Sequence, residues 1–137
     1  MNIVVQHTIS MGHRLQHYNG ICSSLHGHNV VVEAHFTSGK DFLDFKLLQE
    51  HLKEVLADFD HAMVLEANDP IVAALKMYKV RIVQLSQAPT TENIAAYVLN
   101  TLYKILPETF AVKVHETEKY SASTSIKEPY TDVRRVE

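Results

Sequence analysis

Chemically reactive side chains are concentrated in one short stretch of this 137-residue chain. The single cysteine, Cys22, is followed by Ser23-Ser24-Leu25 and then by His26-Gly27-His28. Successive side chains of an extended strand point to opposite faces, so His26 and His28 project in the same direction. Two imidazoles on one face can bind one metal ion, and a thiolate forms readily beside such an ion.

A third candidate ligand, His13, lies upstream in Gly12-His13-Arg14-Leu15, near the end of a strand-like run. Three neutral histidines with an open fourth position are typical of catalytic rather than structural zinc. Two other interpretations stay open at this point. A chain with nine histidines contains some close pairs by chance, and Cys22 could be a fourth ligand of a closed site instead of a base or nucleophile.

Further groups that catalysis could use lie later in the chain. Asp60-His61 follows a predicted helix, and Glu116 ends an apolar stripe on a predicted strand. A carboxylate buried beside a ligand can accept hydrogen bonds from a ring with paired N–H groups. Each group also has a structural interpretation: His61 as a cation at a helix end, Glu116 as an exposed strand terminus, and Thr90 and Thr91 as a helix start.

Length and composition narrow the class of protein. We expect a single domain over residues 1–137, because a hydrophobic content of 46% supports a core without a disulfide. A lone thiol suits a reducing compartment, and the first residues lack the pattern of a signal peptide or membrane span, so we expect a cytoplasmic protein. The net charge of −3 argues against direct nucleic-acid binding.

The elements that must position these groups alternate between strands and helices. Alternation and turn residues predict strands over residues 2–11 and 25–37, joined as an antiparallel hairpin by a loop over residues 16–24 that carries Cys22. Asp44 is predicted to cap a helix that ends near Asp58. The remaining elements are a short helix over 70–78, a strand over 80–85, a helix over 91–106, and strands over 110–117 and 125–136.

This order predicts an α+β domain with its helices on one face of an antiparallel sheet. The opposite face of such a sheet then needs cover, which favours oligomerisation.

Six motif fragments, taken together, resemble the 6-pyruvoyltetrahydropterin synthase superfamily and occur in its order over nearly the whole chain. The three-residue gap between Cys22 and His26 is similar to that of its 6-carboxytetrahydropterin synthase branch, which serves the queuosine pathway. The fragments are Gly12-His13-Arg14-Leu15, Cys22-x3-His26-Gly27-His28, Leu43-Asp44-Phe45, Asp60-His61, Pro89-Thr90-Thr91-Glu92-Asn93 and His115-Glu116-Thr117.

The resemblance implies a tunnelling fold (T-fold), in which a four-stranded antiparallel sheet carries two helices and subunits join into an oligomeric barrel. The implied assembly is a homo-oligomer, a trimer or a dimer of trimers. It also implies zinc as cofactor, held by His13, His26 and His28, with Cys22 as the proton-abstracting base. By the same resemblance Asp60 and His61 relay protons, Glu116 anchors the pterin ring, and Thr90 and Thr91 contact substrate.

The implied reaction converts 7,8-dihydroneopterin triphosphate to 6-carboxy-5,6,7,8-tetrahydropterin, with release of triphosphate and acetaldehyde. Two alternatives remain: triphosphate elimination to 6-pyruvoyltetrahydropterin, and a non-catalytic oligomer that binds zinc or a pterin. The chain departs from the family pattern at Met11-Gly12, where a small pair usually precedes the first zinc histidine, and in a longer segment over residues 66–88. We expect the first to reshape the pocket wall and the second to alter the site entrance.

Overall fold

The structure, a computed structural model, describes residues 1–39, 41–127 and 132–136. The strands are β1 Asn2–His13, β2 His26–Thr37, β3 Met63–Glu66, β4 Ile82–Leu85, β5 Thr109–His115, β6 Ser121–Ser125 and β7 Arg135–Val136. The helices are α1 Phe45–Leu56, α2 Ile71–Met77 and α3 Thr91–Ile105, and a short 3-10 turn covers Ile21–Ser23. The α+β class predicted from the sequence is confirmed.

The sheet is larger than the four-stranded antiparallel sheet that the resemblance implied. The described residues form seven strands in the order β6-β5-β2-β1-β3-β4-β7. Strand β3 pairs in parallel with both β1 and β4, and β7 then adds in antiparallel orientation. Because β3 and β4 have four residues each, they are too short for periodicity alone to fix their pairing.

Two further expectations about the elements need correction. The resemblance implied two helices, but the described residues form three, because the short helix predicted over residues 70–78 is present as α2. The strand expected over residues 125–136 is replaced by β6 and the two-residue β7. Residues 128–131 of that expected strand lie outside the described residues.

The first two strands form the predicted antiparallel hairpin, and its register sets up the site. Pairing runs from Asn2 opposite Thr37 to His13 opposite His26. The turn of this hairpin is the loop that carries Cys22, and it closes with the Leu15 N–H donating to the Cys22 carbonyl, 2.9 Å. Both ends of the hairpin loop are thus tied together next to the histidines.

Helices α1 and α3 pack on one face of the sheet and enclose the hydrophobic core. The Asp44 side chain accepts from the Lys46 N–H, which confirms the predicted cap of α1. In α1 the buried residues recur every fourth position, at Leu48, Leu52 and Leu56. Burying one such leucine stabilises the fold by about 1.5–3 kcal/mol. The helices of the described residues are 15 residues or shorter, and none could span a bilayer.

The opposite face of the sheet is polar where strands β1, β2 and β5 adjoin. Glu33 accepts a hydrogen bond from Gln6 at 2.9 Å, and its carboxylate lies 3.3 Å from His35 Nε2 and 3.2 Å from His115 Nε2. These groups are hydrogen-bonded to one another across three strands. This face therefore carries a polar network in place of a second apolar layer.

Candidate metal centre and substrate cavities

Three imidazoles meet where β1 ends and β2 begins. His13 and His26 are direct partners in the hairpin register, and His28 lies two residues further along β2 on the same face. One ligand atom from each of the three rings lies within 4.8 Å of the others. The ring centroids are separated by 4.6, 5.0 and 5.2 Å, with the rings tilted or edge-on to one another. The alternation argument therefore brings together the side chains it singled out.

The hydrogen bonds of this three-histidine cluster fix how two of its rings are oriented. His13 Nδ1 lies 2.9 Å from the Pro89 carbonyl oxygen, and His26 Nδ1 lies 2.7 Å from the Ser24 carbonyl oxygen. A carbonyl oxygen only accepts, so both Nδ1 atoms donate and both Nε2 atoms present a lone pair. This is the arrangement in which a backbone carbonyl orients a metal-binding imidazole.

Unpartnered nitrogen atoms supply a test of whether the cluster fits a metal ion. His13 Nε2 and His28 Nε2 are buried and have no hydrogen-bond partner among the described residues. Buried polar atoms are normally paired, and a metal ion would satisfy both lone pairs together. Three imidazole nitrogens are a donor set that suits Zn²⁺. The residues present therefore fit the implied ion.

Burial favours the neutral form of the His13 imidazole, which is the form that coordinates a metal ion. Desolvation is the largest influence on this ring and lowers its pKa, although the hydrogen bond with Pro89 opposes the shift. His26 and His28 lower the pKa of His13 further, and Glu116 raises it. The net lowering keeps His13 neutral at pH 7, and the neutral ring is the form that binds metal.

Glu116 lies beside the cluster, directly after β5. Its Oε1 is 3.4 Å from His13 Nε2 and 3.7 Å from His28 Nε2. The Thr91 hydroxyl donates to the same oxygen at 3.3 Å. Glu116 and Thr91 also line a polar cavity of about 380 Å³, together with Lys119 and Tyr120. The carboxylate thus stands between the imidazoles and a separate polar pocket.

The two threonines at the start of α3 face different partners. Thr90 Oγ1 accepts from the Asn93 N–H at 3.1 Å and so caps the helix. Thr91, one residue later, turns its hydroxyl toward Glu116. The structural interpretation of the motif therefore accounts for Thr90, while Thr91 contacts the site.

Asp60 orients His61, which adjacency in sequence could not establish. Asp60 Oδ1 accepts from the Ser10 N–H at 3.0 Å and lies 2.9 Å from His61 Nδ1. The bond from Ser10 lowers the pKa of Asp60 and the bond with His61 lowers it further, against an opposing effect of burial. His61 itself has a left-handed backbone, with φ of 62°, and its side chain is 79% exposed. Asp60 is therefore ionised at neutral pH and holds an accessible imidazole.

A larger cavity, of about 710 Å³, is lined both by His61 and by two members of the three-histidine cluster. Its lining includes the imidazoles of His26, His28 and His61 and the apolar side chains of Leu25, Met63, Leu75 and Val80. Leu75 belongs to α2 and Val80 follows it, so the long segment over residues 66–88 does contribute to the cavity wall. Sequence analysis identified the segment but none of its individual residues, because apolar side chains on a short helix are usually core.

Cys22 is not among the residues that line the two cavities. It lies in the 3-10 turn, is half-buried and is a free thiol. Within the described residues the metal-capable group contains the three histidines and not Cys22. Among the described residues, the geometry thus groups the three histidines without Cys22 as a fourth ligand.

Fold and site together define an α+β protein with a three-histidine cluster that could hold a metal ion, next to a carboxylate and a largely apolar cavity. Residues 2–127 match the sequence profile of the family described as 6-pyruvoyl tetrahydropterin synthase. The chain belongs to this family.

Relatives with curated names agree with this assignment. A probable 6-carboxy-5,6,7,8-tetrahydropterin synthase of Halobacterium salinarum is 35% identical over 119 residues, covering 83% of this chain and 79% of the relative. A 6-carboxy-5,6,7,8-tetrahydropterin synthase of Rickettsia typhi is 29% identical over 120 residues, covering 78% and 87%. The resemblance drawn from the motifs is thereby confirmed.

Solved structures share the fold at low sequence identity. An uncharacterized protein of Wolinella succinogenes, WS1659, has a TM-score of 0.77 at 20% identity, covering 92% of this chain and 98% of that one. The 6-pyruvoyl tetrahydropterin synthase of Caenorhabditis elegans has a TM-score of 0.69 at 20% identity, covering 91% and 94%. At this level of identity the comparison establishes the fold alone.

Proposed function

We propose that the protein is a zinc-dependent lyase that converts 7,8-dihydroneopterin triphosphate to 6-carboxy-5,6,7,8-tetrahydropterin, triphosphate and acetaldehyde. The observation that carries this proposal is the cluster of His13, His26 and His28 beside the Glu116 carboxylate, in which two buried Nε2 atoms have no hydrogen-bond partner among the described residues. The names of the curated relatives and the three-residue gap between Cys22 and His26 support the carboxy product.

The three-histidine cluster would hold the zinc ion through its imidazoles. A bound zinc ion supplies Lewis acidity, which acidifies C–H bonds next to coordinated hydroxyls and stabilises developing negative charge. The carbonyls of Pro89 and Ser24 keep the His13 and His26 rings in the required orientation.

The remaining groups of the site are assigned to proton transfer and to ring binding. Glu116, with two acceptor oxygens and support from the Thr91 hydroxyl, accepts hydrogen bonds from the N–H groups of the pterin ring. His61, oriented by ionised Asp60, moves protons at the wall of the large cavity. Cys22 removes a proton from the substrate side chain.

Assembly of several copies is part of this proposal. The subunits would join into a barrel, as a trimer or a dimer of trimers, and the polar sheet face around Glu33 would line its interior. Neighbouring subunits would bring Cys22 and His61 to one substrate. We place the enzyme in the cytoplasm as a single domain, with its product supplied to queuosine biosynthesis.

Mass spectrometry of the products tests the proposal. Zinc-loaded protein is incubated with freshly prepared 7,8-dihydroneopterin triphosphate, with a Cys22→Ala variant and chelator-treated protein as controls. We expect 6-carboxytetrahydropterin and acetaldehyde from the wild type and little of either from the controls. A 6-pyruvoyl product would assign the sister activity, and unchanged substrate would refute catalysis on this pterin. Full turnover by Cys22→Ala would refute its role as base.

A further inference from the structure

A buried ion pair ties the end of β1 to the segment before α2. Arg14 donates from Nε to Asp69 Oδ2 at 2.7 Å and from Nη2 to Asp69 Oδ1 at 2.5 Å. The Asp69 side chain is 1% exposed and that of Arg14 is 21% exposed. A bidentate pair between planar groups fixes orientation as well as distance. Such a pair, largely removed from water, can hold two chain segments at one relative position.

The pair joins two parts of the candidate site. Arg14 directly follows His13, a member of the three-histidine cluster. Asp69 Oδ1 also accepts from the N–H of Ile71, the first residue of α2, at 3.0 Å. A second tie lies beside it, where Gln16 donates to Glu66 and to Asn68. The start of α2 is therefore bound to the chain that carries a candidate metal ligand.

The far end of α2 delivers apolar side chains to the large cavity. Lys79 has a left-handed backbone, with φ of 59°, and the Val80 N–H donates to the Leu75 carbonyl at 3.1 Å. This turn ends the helix and returns the chain toward β4. Leu75 and Val80 consequently line the cavity that contains His26, His28 and His61. Met77 and Tyr78, between them in sequence, point outward and are about 80% exposed.

The chemistry of that cavity limits what can lie in it. Its lining in the described part of the chain contains three histidines, Ser10, Asn29 and several apolar side chains, and no lysine, arginine, aspartate or glutamate. The Leu75 and Val80 side chains themselves offer only carbon, so a charged group packed against them would lack a polar or cationic partner on that side. We expect the part of a substrate next to Leu75 and Val80 to be uncharged.

We propose that Leu75 and Val80 form a specificity wall that packs against the carbon atoms of the substrate side chain, and that the Arg14–Asp69 pair is the positioning device that holds this wall in the cavity lined by the imidazoles. The identity of the substrate rests on the function proposed above. The role of the wall rests on that function too, whereas the anchor does not, since it is a property of the folded chain.

Two variants separate the wall from its anchor. Leu75→Ala shortens a half-buried side chain at the cavity without touching the ion pair. Asp69→Asn keeps an acceptor for the Ile71 N–H but removes the charge that Arg14 faces. The matched control is Asp132→Asn, which breaks the Arg134–Asp132 pair on the surface, where both side chains are more than 70% exposed.

For Leu75→Ala, steady-state kinetics with the pterin triphosphate and zinc content are measured on the zinc-loaded protein. We expect zinc bound per chain to be unchanged and KM to rise about tenfold, since removing carbon contacts in an apolar pocket has effects of this size. Leu75→Met, which restores most of the apolar volume, should return KM toward the wild-type value. Equal KM and kcat in Leu75→Ala and wild type would overturn the specificity wall.

For Asp69→Asn, hydrogen exchange of residues 66–80 is followed without substrate. We expect amide protection in α2 to fall about tenfold, the size that corresponds to losing a charge-assisted hydrogen bond. Asp132→Asn should leave this segment unchanged. Unaltered protection in Asp69→Asn would overturn the anchoring role. This measurement stands whether or not the pterin is turned over, so failure of the proposed function and failure of the anchor give different results.

Discussion

The side chain of Met63 fills the space into which a Cβ atom on residue 12 would project. Residue 12 is a glycine, its N–H donates to the Ala62 carbonyl at 2.9 Å, and it immediately precedes His13. The departure from the family pattern at Met11-Gly12 thus has a structural counterpart. Met11 is buried in the core, and Gly12 lets β3 approach β1 closely.

Gly12→Ala should therefore destabilise the protein and weaken zinc binding. The Met63 Sδ and Cε atoms end a flexible side chain and can rotate away, but the His26 carbonyl oxygen would lie 3.1 Å from the added Cβ, so we expect a cost at the lower end of the about 1–3 kcal/mol typical of overpacking. Thermal unfolding with and without zinc measures the first effect, and competition with a chromogenic chelator measures the second. Gly39→Ala is the matched control, because nothing lies within 4 Å of a Cβ at that position. Equal behaviour of the two variants would contradict the close approach.

Zinc content should depend on the three clustered histidines and on no surface histidine. His28→Ala removes one of the buried Nε2 atoms, so we expect bound zinc after dialysis to fall from about one per chain to a small fraction of that. Elemental analysis supplies the number. His17→Ala, an exposed position in the hairpin loop, should retain full zinc. Loss of zinc in both variants would point to a site other than the cluster.

The free energy of unfolding at acidic pH should depend on the ionisation of Asp69. The hydrogen bonds from Arg14 hold the pKa of this carboxyl below its ordinary value of 3.8. A folded-state pKa below the unfolded one contributes stability that is complete above the unfolded value and is lost as pH falls through the folded value. The difference in free energy of unfolding between wild type and Asp69→Asn should thus shrink as pH falls from 5 to 3. Urea titrations at several pH values test this, and a constant difference would contradict it.

Two substitutions at His61 separate the effect of backbone strain on stability from the effect of the imidazole on catalysis. Both His61→Gly and His61→Ala remove the imidazole, and the proposed role of His61 predicts a loss of about 10²–10⁴ in kcat for each. Only glycine relieves the left-handed backbone, so His61→Gly should be more stable than His61→Ala by about 1 kcal/mol. Denaturant unfolding and product assays measure the two effects. Equal stability of the two variants would show that the backbone at this position relaxes.

Thr90 and Thr91 should have different phenotypes in spite of their adjacency. Thr90→Val removes the cap of α3 and should lower the free energy of unfolding by about 1 kcal/mol, with pterin binding largely kept. Thr91→Val removes the hydroxyl that contacts Glu116 and should weaken pterin binding with little change in stability. Ligand titration and thermal unfolding of both variants decide the matter, and a reversed pattern would contradict these assignments.

Local sequence patterns predicted the parts of the site that lie within one hairpin. Alternation placed His26 and His28 on one face, and the hairpin then brought His13 opposite His26. The contact of Glu116 with His13 depends instead on the pairing of β5 with β2, about 80 residues apart in the chain. The Arg14–Asp69 pair likewise depends on where β3 and α2 lie, and no spacing rule encodes that position.

The bond between His13 and the Pro89 carbonyl also bears on the order in which the site assembles. The two residues are 76 positions apart, and contacts of such separation require most of the chain to be collapsed before they form. His26 and His28 lie on one strand, and the His26 ring is oriented by the nearby Ser24 carbonyl. We therefore expect these two imidazoles to come together early in folding and the His13 ring to be locked in orientation when the chain before α3 docks. High-affinity metal binding would consequently be a late event and a readout of the completed tertiary structure.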